Sequence, residues 1–339
     1  MLARFMSCRE RFRLKYLLGL ESPDRWNHRL GYGTMWHVCE EALAKESDWL
    51  GALVNHMVDM IQRYRLQEEE IHKWFSVCCV QFPEYIKYWA EHPDVKNRTP
   101  LMQEQAFDVS YNLPSGRVVR LRGKWDSVDL IDGGIYLQEN KTKGDIDKLQ
   151  VERQLKFDLQ TMFYLTALHA HQVQPNQYRL GGEGLPRATP ILGVRYNVVR
   201  RPLSGGKGSI RPHSAKSTKN TFTPAETDEH FYERLRKDYI AAEPDYWFFR
   251  VRAEISLRDV EMFRHTCLDP LLETVCAWYE EMTGGEPLHS YGFPPMNYRT
   301  PFGVYSALEE GGATEYDLYM ETGSEATLRR VHELFPELK

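Results

Sequence analysis

Two acidic residues and a lysine in the middle of the sequence have the types and spacing to hold a divalent cation beside an ammonium group. Asp126 and Glu139 flank the turn-forming sequence Asp132-Gly133-Gly134, which predicts a hairpin that brings the two carboxylates side by side. Lys141 follows Glu139 by two positions, so both side chains project from one face of a strand. Mg²⁺ prefers oxygen ligands, and an ammonium can orient water and offset charge on a phosphate. The pattern is therefore compatible with metal-dependent phosphodiester hydrolysis.

Other residues could complete such a site, although each also has an ordinary structural interpretation. The backbone carbonyl of Asn140 would add an oxygen ligand, and His37 would add a nitrogen ligand that suits Mn²⁺ better than Mg²⁺. Gln160 and Tyr164 are four residues apart and so share one face of a helix. An acid-x-Lys triplet on its own is usually a surface ion pair, and a single helical histidine or a Gln and Tyr pair usually belongs to a packed core.

The elements around these residues predict an α/β fold. Helical spacing of apolar residues predicts these helical stretches: 2–18, a helix beginning near residue 33, segments between about 49 and 89, 149–171 and 257–282. Alternation of apolar and polar residues predicts these strands: 107–111, 118–130, 135–140, 190–198 and 246–253. The first three strands are expected to be antiparallel.

We expect residues 1–339 to form a single elaborated domain, since the chain is long enough to bury one sizeable core. Its expected parts are a mainly helical part carrying His37 (1–99), a core (100–198), a flexible basic loop (199–225) and a C-terminal helical extension and tail (226–339). The loop contains no Asp or Glu. Arg200 and Arg201 in this loop either contact nucleic acid or are simply solvated.

Charge and composition limit the classes of protein that are possible. The formal net charge is -5, which allows nucleic-acid binding only through a local basic surface. No apolar run is long enough to span a bilayer, and charges near Met1 replace the apolar stretch of a secretory signal, so we expect a cytoplasmic protein without a membrane partner. The cysteines contain no CxxC pair for a zinc ribbon, and the chain has no phosphate-binding P-loop.

Four segments in combination resemble the RecB-like branch of the PD-(D/E)XK nuclease superfamily, which includes the Cas4-like nucleases. The segments are Gly33-Thr-Met-Trp-His37, Leu121-Arg-Gly-Lys-Trp-Asp126, Gln138-Glu139-Asn-Lys141-Thr-Lys143 and Gln160-Thr-Met-Phe-Tyr164. The resemblance implies a restriction-endonuclease-like core, with a mixed central sheet flanked by helices and a helical N-terminal insertion.

The resemblance also implies a role for each residue. Asp126 and Glu139 would be metal ligands for Mg²⁺ or Mn²⁺, with His37 as an additional ligand. Lys141 would be the catalytic base or the group that orients water. Gln160 with Tyr164 would position the DNA backbone or the lysine. Glu104, which is predicted to open the first strand, would support the metal from a second shell or be an ordinary surface glutamate.

The first residues, Leu2 to Phe12, resemble the opening of these nucleases too. In members with an iron–sulfur cluster the first cysteine joins three others near the C-terminus, but here no cysteine follows Cys276. We therefore predict that Cys8 is structural and that no cluster forms.

The function implied is a DNA exonuclease in recombination, repair or phage replication. Because the chain lacks an ATP-binding loop, any motor would be a helicase partner; annealing or recombination proteins are other possible partners. The alternatives are a non-catalytic DNA-binding scaffold, a structure-specific endonuclease or an RNA-directed enzyme. Strand polarity and oligomeric state stay open.

Overall fold

The computed structural model describes the following residues: 2–7, 9–12, 16, 26–90, 92, 97–155, 158–173, 185–186, 188–204, 209–218 and 221–284. Cys8, part of the predicted basic loop and the C-terminal tail from residue 285 lie outside them.

Five strands form the central sheet, in the spatial order β1-β2-β3-β4-β7. Together with a separate two-stranded ribbon, the strands are β1 (Arg98–Asn112), β2 (Val118–Ile131), β3 (Gly134–Lys143), β4 (Ile191–Arg200), β5 (Lys216–Ser217), β6 (Phe222–Thr223) and β7 (Phe248–Glu254). β1, β2 and β3 are antiparallel neighbours, β3 and β4 are parallel, and β4 and β7 are antiparallel. The sheet is therefore mixed.

Helices precede the sheet and connect its strands. They are α1 (Leu2–Ser7), α2 (Arg9–Phe12), α3 (His28–Ala44), α4 (Trp49–Arg63), α5 (Glu68–Ala90), α6 (Lys148–Leu155), α7 (Leu159–Val173), α8 (Asp228–Arg234), α9 (Pro244–Trp247), α10 (Leu257–Phe263) and α11 (Asp269–Gly284). The crossover between the parallel strands β3 and β4 contains α6 and α7, since parallel neighbours cannot be joined by a tight turn.

Helices cover the sheet on both faces, because successive residues of a strand point in opposite directions. Val198 of β4 packs in the same apolar cluster as Leu165 of α7. Its neighbour Val199 packs in a second cluster with Trp36 of α3 and Phe82 of α5. α10 and α11 contribute to the first cluster. The predicted mixed α/β core with a central sheet flanked by helices is confirmed.

The hairpin between β2 and β3 turns where the sequence predicts it. Ile131 pairs with Gly134, and the two residues between them, Asp132 and Gly133, have φ of +52° and +83°. Two consecutive residues with positive φ make the tight turn that matches the twist of the flanking strands.

Several predicted boundaries differ from the observed ones. The single helix predicted over 149–171 is two helices, because the Asp158 carboxylate accepts the Thr161 N–H at 2.8 Å and caps a new helix, α7. α3 begins at His28, five residues before the predicted start, after the N-cap Asn27. β1 begins at Arg98, so Glu104 lies in the middle of this strand and does not open it.

Within the described ranges, no helix is long and apolar enough to cross a membrane.

Gly123 of β2 lies directly beneath two aromatic rings. A Cβ at this position would be 2.5 Å from Phe107 Cζ and 3.0 Å from Tyr164 Cε1. We expect Gly123→Ala to lower the free energy of unfolding by about 1–3 kcal/mol through overpacking, measured by urea denaturation. Ser110→Ala, on the exposed side of β1, is the control and should change it by less than about 0.5 kcal/mol. Equal stability of the two variants would contradict this account of the packing.

Candidate active site

β2 and β3 separate at the point where Asp126 and Glu139 would form the next pair. The two strands are paired from Ser127 with Gln138 down to the hairpin turn, whereas β3 continues beside β4 as far as Lys143. Beyond the last pair, the Asn140 N–H donates to Asp126 Oδ2 at 2.7 Å. The Asp126 carboxylate thus takes the place of a backbone carbonyl as the partner of this N–H. We call the point where the two strands separate, at Asp126 and Glu139, the fork.

On one side of the fork, Asp126 meets a histidine and a second carboxylate. His37 Nδ1 is 3.6 Å from Asp126 Oδ1 and 3.2 Å from Glu104 Oε1. The three residues each offer one ligand atom, and these atoms lie within 4.8 Å of one another. α3 positions the histidine by packing against both β1 and β3. The three side chains could therefore share one cation.

Glu104 is part of this group rather than a surface residue. Its side chain is 6% exposed, and Lys124 Nζ lies 2.5 Å from its Oε2. Its φ of +46° is uncommon for a residue other than glycine, and such strained backbone often occurs at functional sites. Its burial rules out an ordinary surface glutamate, whereas its role in supporting the metal, through its contact with His37, stays a prediction.

On the other side of the fork, Glu139 is buried beside Lys141 as the strand alternation predicts. Glu139 is 1% exposed, and Lys141 Nζ donates to its Oε2 at 2.8 Å. Gln160 lies across both groups, accepting from Lys141 at 3.4 Å and donating to Glu139 at 3.5 Å. Glu139 Oε1 is buried without a hydrogen-bond partner among the described residues. A carboxylate oxygen in this position fits a cation as its missing partner.

The pKa values at the fork reflect carboxylates crowded together away from water. Burial raises the pKa of Glu139 to about 7, with Lys141 opposing the shift and Asp126 adding to it. Burial also raises the pKa of Asp126. For His37, burial opposes protonation, but the hydrogen bond to Glu104 and the charge of Asp126 outweigh it and raise the pKa. The raised pKa values mean that, without a cation, protons bound to these side chains offset part of the negative charge of the site.

Tyr164 and the side chain of Asn140 lie around the fork rather than in it. Burial raises the pKa of the Tyr164 phenol, which lies near Gln160, and its ring packs edge-on against Phe107 with centroids 5.4 Å apart. The Asn140 side chain points away, as predicted, and accepts hydrogen bonds from Gln138 and Asn197. A ligand role for the Asn140 carbonyl stays a prediction.

Arg200 and Arg201 are not in a flexible loop, which corrects their predicted placement. Arg200 is the last residue of β4 and is buried, with its guanidinium 4.0 Å from the ring centroid of Tyr246. Arg201 is also buried and donates to the Arg29 carbonyl at 3.0 Å. Their main contacts are structural, and contact with nucleic acid stays a prediction.

Sequence reasoning misses Lys124 as a partner of the site, although it lies within the Leu121 to Asp126 segment. The available signal is its spacing: Lys124 and Asp126 are two apart on a strand and so share a face. The contact with Glu104 depends on the pairing of β1 with β2, which the spacing alone does not reveal.

A family model for the PD-(D/E)XK nuclease superfamily matches residues 1–253, about three quarters of the 339 residues. The chain therefore belongs to this superfamily, and its five-stranded mixed sheet flanked by helices is consistent with the restriction-endonuclease-like fold. The superfamily consists of nucleases that generally use divalent metals, and it implies DNA as the substrate. No curated protein matches the sequence.

We expect cation binding at the fork to release protons, because His37 and Glu139 must lose theirs to act as ligands. The apparent affinity for Mn²⁺ should fall as the pH drops below the Glu139 pKa of about 7, by ~tenfold per pH unit for each proton displaced. Titration calorimetry near pH 6 in two buffers of different ionisation enthalpy would count the protons.

The matched variant is His37→Gln, which removes one titrating group and should release fewer protons than the wild type. A binding enthalpy that is independent of the buffer would show that no proton is displaced and would contradict the prediction.

Proposed function

We propose that this member of the PD-(D/E)XK nuclease superfamily is a Mg²⁺- or Mn²⁺-dependent deoxyribonuclease of the RecB-like branch, which includes Cas4-like enzymes, and that it acts as an exonuclease. The observation that carries the proposal is the meeting of Asp126, Glu139 and Lys141 at the fork, where Glu139 Oε1 is buried with no hydrogen-bond partner in the part of the chain that the structure describes. A role in DNA recombination, repair or phage replication would follow from this branch.

Asp126 and Glu139 would hold the cation, joined by His37, Glu104 and the Asn140 carbonyl. A bound cation of this kind polarises the phosphate and lowers the pKa of water. The mixed oxygen and nitrogen donors are compatible with Mn²⁺ as well as Mg²⁺. The substrate phosphate would then approach a site whose negative charge has been neutralised.

Lys141 would orient the attacking water and offset charge on the phosphate. Burial disfavours its charged form, but Glu139 outweighs that effect and raises the pKa of Lys141, so this ammonium stays protonated at neutral pH. The raised pKa favours electrostatic stabilisation over proton abstraction by the lysine. In the hydrolysis itself, the water oxygen forms a bond to phosphorus and the bond to the leaving oxygen breaks. The water proton passes to solvent, and the leaving oxygen takes up a proton from solvent to become a hydroxyl group.

Gln160 would act as a positioning residue, because it touches both Lys141 and Glu139. Tyr164 would hold Gln160 in place through its phenol. Both residues lie on α7, so packing of this helix against the sheet would control the orientation of the lysine.

A non-catalytic DNA-binding protein is the less favoured alternative. A scaffold gains nothing from burying Glu139 with one oxygen unpaired, and such burial costs stability. The choice between exonuclease and structure-specific endonuclease, and between DNA and RNA, is left to experiment. We also propose that the chain forms a single elaborated domain. Its partners would be helicase, annealing or recombination proteins.

We expect Asp126→Ala and Lys141→Ala each to reduce cleavage by at least about 10²-fold, since the first removes a proposed ligand of the cation and the second removes the ammonium that would offset charge on the phosphate. End-labelled single- and double-stranded DNA with Mg²⁺, Mn²⁺ or EDTA would report the loss, and circular dichroism would check the fold. Lys237→Ala, at an exposed lysine that pairs with Glu233, is the control and should cleave normally. Cleavage by both site variants at the wild-type rate would overturn the site.

The mode of cleavage can be tested separately with linear and covalently closed circular DNA. An exonuclease needs an end, so we expect short products from the linear substrate and an intact circle. Nicking of the circle at a comparable rate would instead favour the endonuclease, and degradation of labelled RNA but not DNA would overturn the assignment of the substrate.

A further inference from the structure

Two arginines lie side by side where α3 begins and β4 ends. Arg201 directly follows β4, and its backbone N–H donates to the Lys143 carbonyl at 2.8 Å. Its Nη1 donates to the carbonyl of Arg29, in the first turn of α3, at 3.0 Å. Arg201 is only 9% exposed, whereas Arg29 is exposed. We call these two side chains the arginine pair.

The buried charge of Arg201 has only neutral partners in the part of the chain that the structure describes. Its Nε donates to Ser204 Oγ at 2.9 Å, and its Nη1 donates to the Arg29 carbonyl. Burial lowers the pKa of Arg201 and the charge of Arg29 lowers it further, while among the described residues only the Tyr32 phenol opposes the shift. A buried guanidinium normally has an anion as its partner, because its withdrawal from water is costly. This arrangement therefore fits an anion that comes from outside the chain.

The surroundings of the arginine pair add positive rather than negative charge. The first turn of α3 contains no acidic residue, and the N-terminus of a helix carries a partial positive charge of its own. His28, beside the pair, has a carboxylate partner in Glu70 at 3.5 Å. Burial lowers the pKa of His28, Glu70 opposes the shift, and Arg201 and Arg29 both add to it. Glu70 thus pairs with the histidine, and the arginine pair keeps an excess of positive charge.

An anion can reach the arginine pair from solvent. Arg29 is exposed, and Nη2 of Arg201 has no hydrogen-bond partner among the described residues. Nη2 borders Gly144, where an added Cβ would be 3.5 Å away, so the absence of a side chain there leaves the approach open. Each guanidinium presents its donors in a fixed plane that suits phosphate oxygens. Two of them side by side can therefore hold one phosphate group.

α3 and β3 connect the arginine pair with the fork. Arg29, Gly33 and His37 are spaced by four residues and so share one face of α3, with Arg29 about 12 Å from His37 along the helix axis. At Gly33 this face lies against β3, because an added Cβ would be 3.3 Å from Thr142 Oγ1. Thr142 directly follows Lys141. A distance of about 12 Å corresponds to roughly three or four phosphates of a B-form strand, at about 3.4 Å of axis each.

We propose that the arginine pair binds a phosphate of the substrate DNA strand, a few nucleotides away from the phosphate that is cleaved at the fork. The proposal rests on the proposed nuclease function, because a polynucleotide substrate carries one phosphate at the fork and further phosphates beside it. The bound phosphate supplies the negative partner that Arg201 lacks among the described residues. It also fixes the position of the strand along α3, and with it the alignment of the reacting phosphate with Asp126.

The test measures DNA binding in EDTA, which removes the metal needed for cleavage. Fluorescence anisotropy of a labelled single-stranded oligonucleotide would give Kd over a range of salt concentrations. We expect Arg29→Gln and Arg201→Gln each to raise Kd about tenfold at physiological salt, since each removes charge-assisted hydrogen bonds. In the double variant, the slope of log affinity against log salt should decrease by about 0.7, which is the loss of one phosphate contact on a single strand. Arg29 is exposed, so Arg29→Gln gives a result even if Arg201→Gln fails to fold.

Two matched variants separate the charge of the pair from other effects. Arg29→Lys/Arg201→Lys keeps both charges, so it should keep the salt slope of the wild type even where the lost planar contacts weaken binding. Arg258→Gln changes an exposed arginine of α10, a helix that packs in the apolar cluster on the opposite face of the sheet from α3. This control should bind DNA as the wild type does. A lysine double variant with the reduced slope of the glutamine double variant would contradict the role of charge.

The outcomes also separate this site from the proposed function. If both glutamine variants bind DNA like Arg258→Gln, or if the wild type does not bind DNA in EDTA, the phosphate site is wrong. Since binding is measured without cleavage, a wild type that binds DNA through the arginine pair but cleaves nothing when Mg²⁺ or Mn²⁺ is added would refute only the proposed function.

Discussion

The burial of several carboxylates around one point is the constraint on which the rest of this structure depends. Asp126, Glu139 and Glu104 are withdrawn from water, and like charges in such surroundings raise each other's pKa and cost stability. Each therefore has a positive or hydrogen-donating partner: the Asn140 amide for Asp126, Lys141 for Glu139 and Lys124 for Glu104. The helix that carries His37 and the strands that carry the lysines are placed so that these partners reach the fork.

A second polar layer on the opposite face of the sheet keeps the fork in position. The Nδ2 group of Asn197 on β4 donates to Asn140 at 3.0 Å, to Glu40 of α3 at 3.1 Å and to Tyr85 of α5 at 2.8 Å. One buried amide group thus links a site strand to α3 and α5, two of the helices on that face. Glu40 lies one helical turn after His37, so its contact with Asn197 also fixes the histidine. A network of satisfied buried hydrogen bonds makes this arrangement rigid and specific.

The hairpin and its two acidic residues are predictable from the sequence because their causes are local. Turn residues at Asp132 and Gly133 determine the register, and the register alone places Asp126 opposite Glu139. Glu104 is not predictable in the same way, since its role depends on a left-handed backbone conformation in the middle of a strand and on the docking of α3.

Arg200 is a second residue whose environment could not be predicted from the sequence. Its basic, acid-free surroundings in the sequence indicate a solvated loop, but extension of β4 along β3 brings it under Tyr246 and buries it. Pairing between strands distant in the sequence decides this outcome, and hydrophobic patterning within one segment contains no information about it. By the same argument, the mixed character of the sheet can be predicted in outline, whereas its strand order depends on long-range packing.

The local distribution of charge matters more than the net charge when a negatively charged protein binds a negatively charged substrate. A net charge of -5 opposes the approach of DNA on average, but interactions between exposed charges are largely screened beyond about 8 Å at physiological salt. At the fork the local charge matters most, because the carboxylates there repel a phosphate until a cation or protons neutralise them. A cation at the fork would thus decide whether the reacting phosphate can approach Asp126, whatever the net charge of the protein.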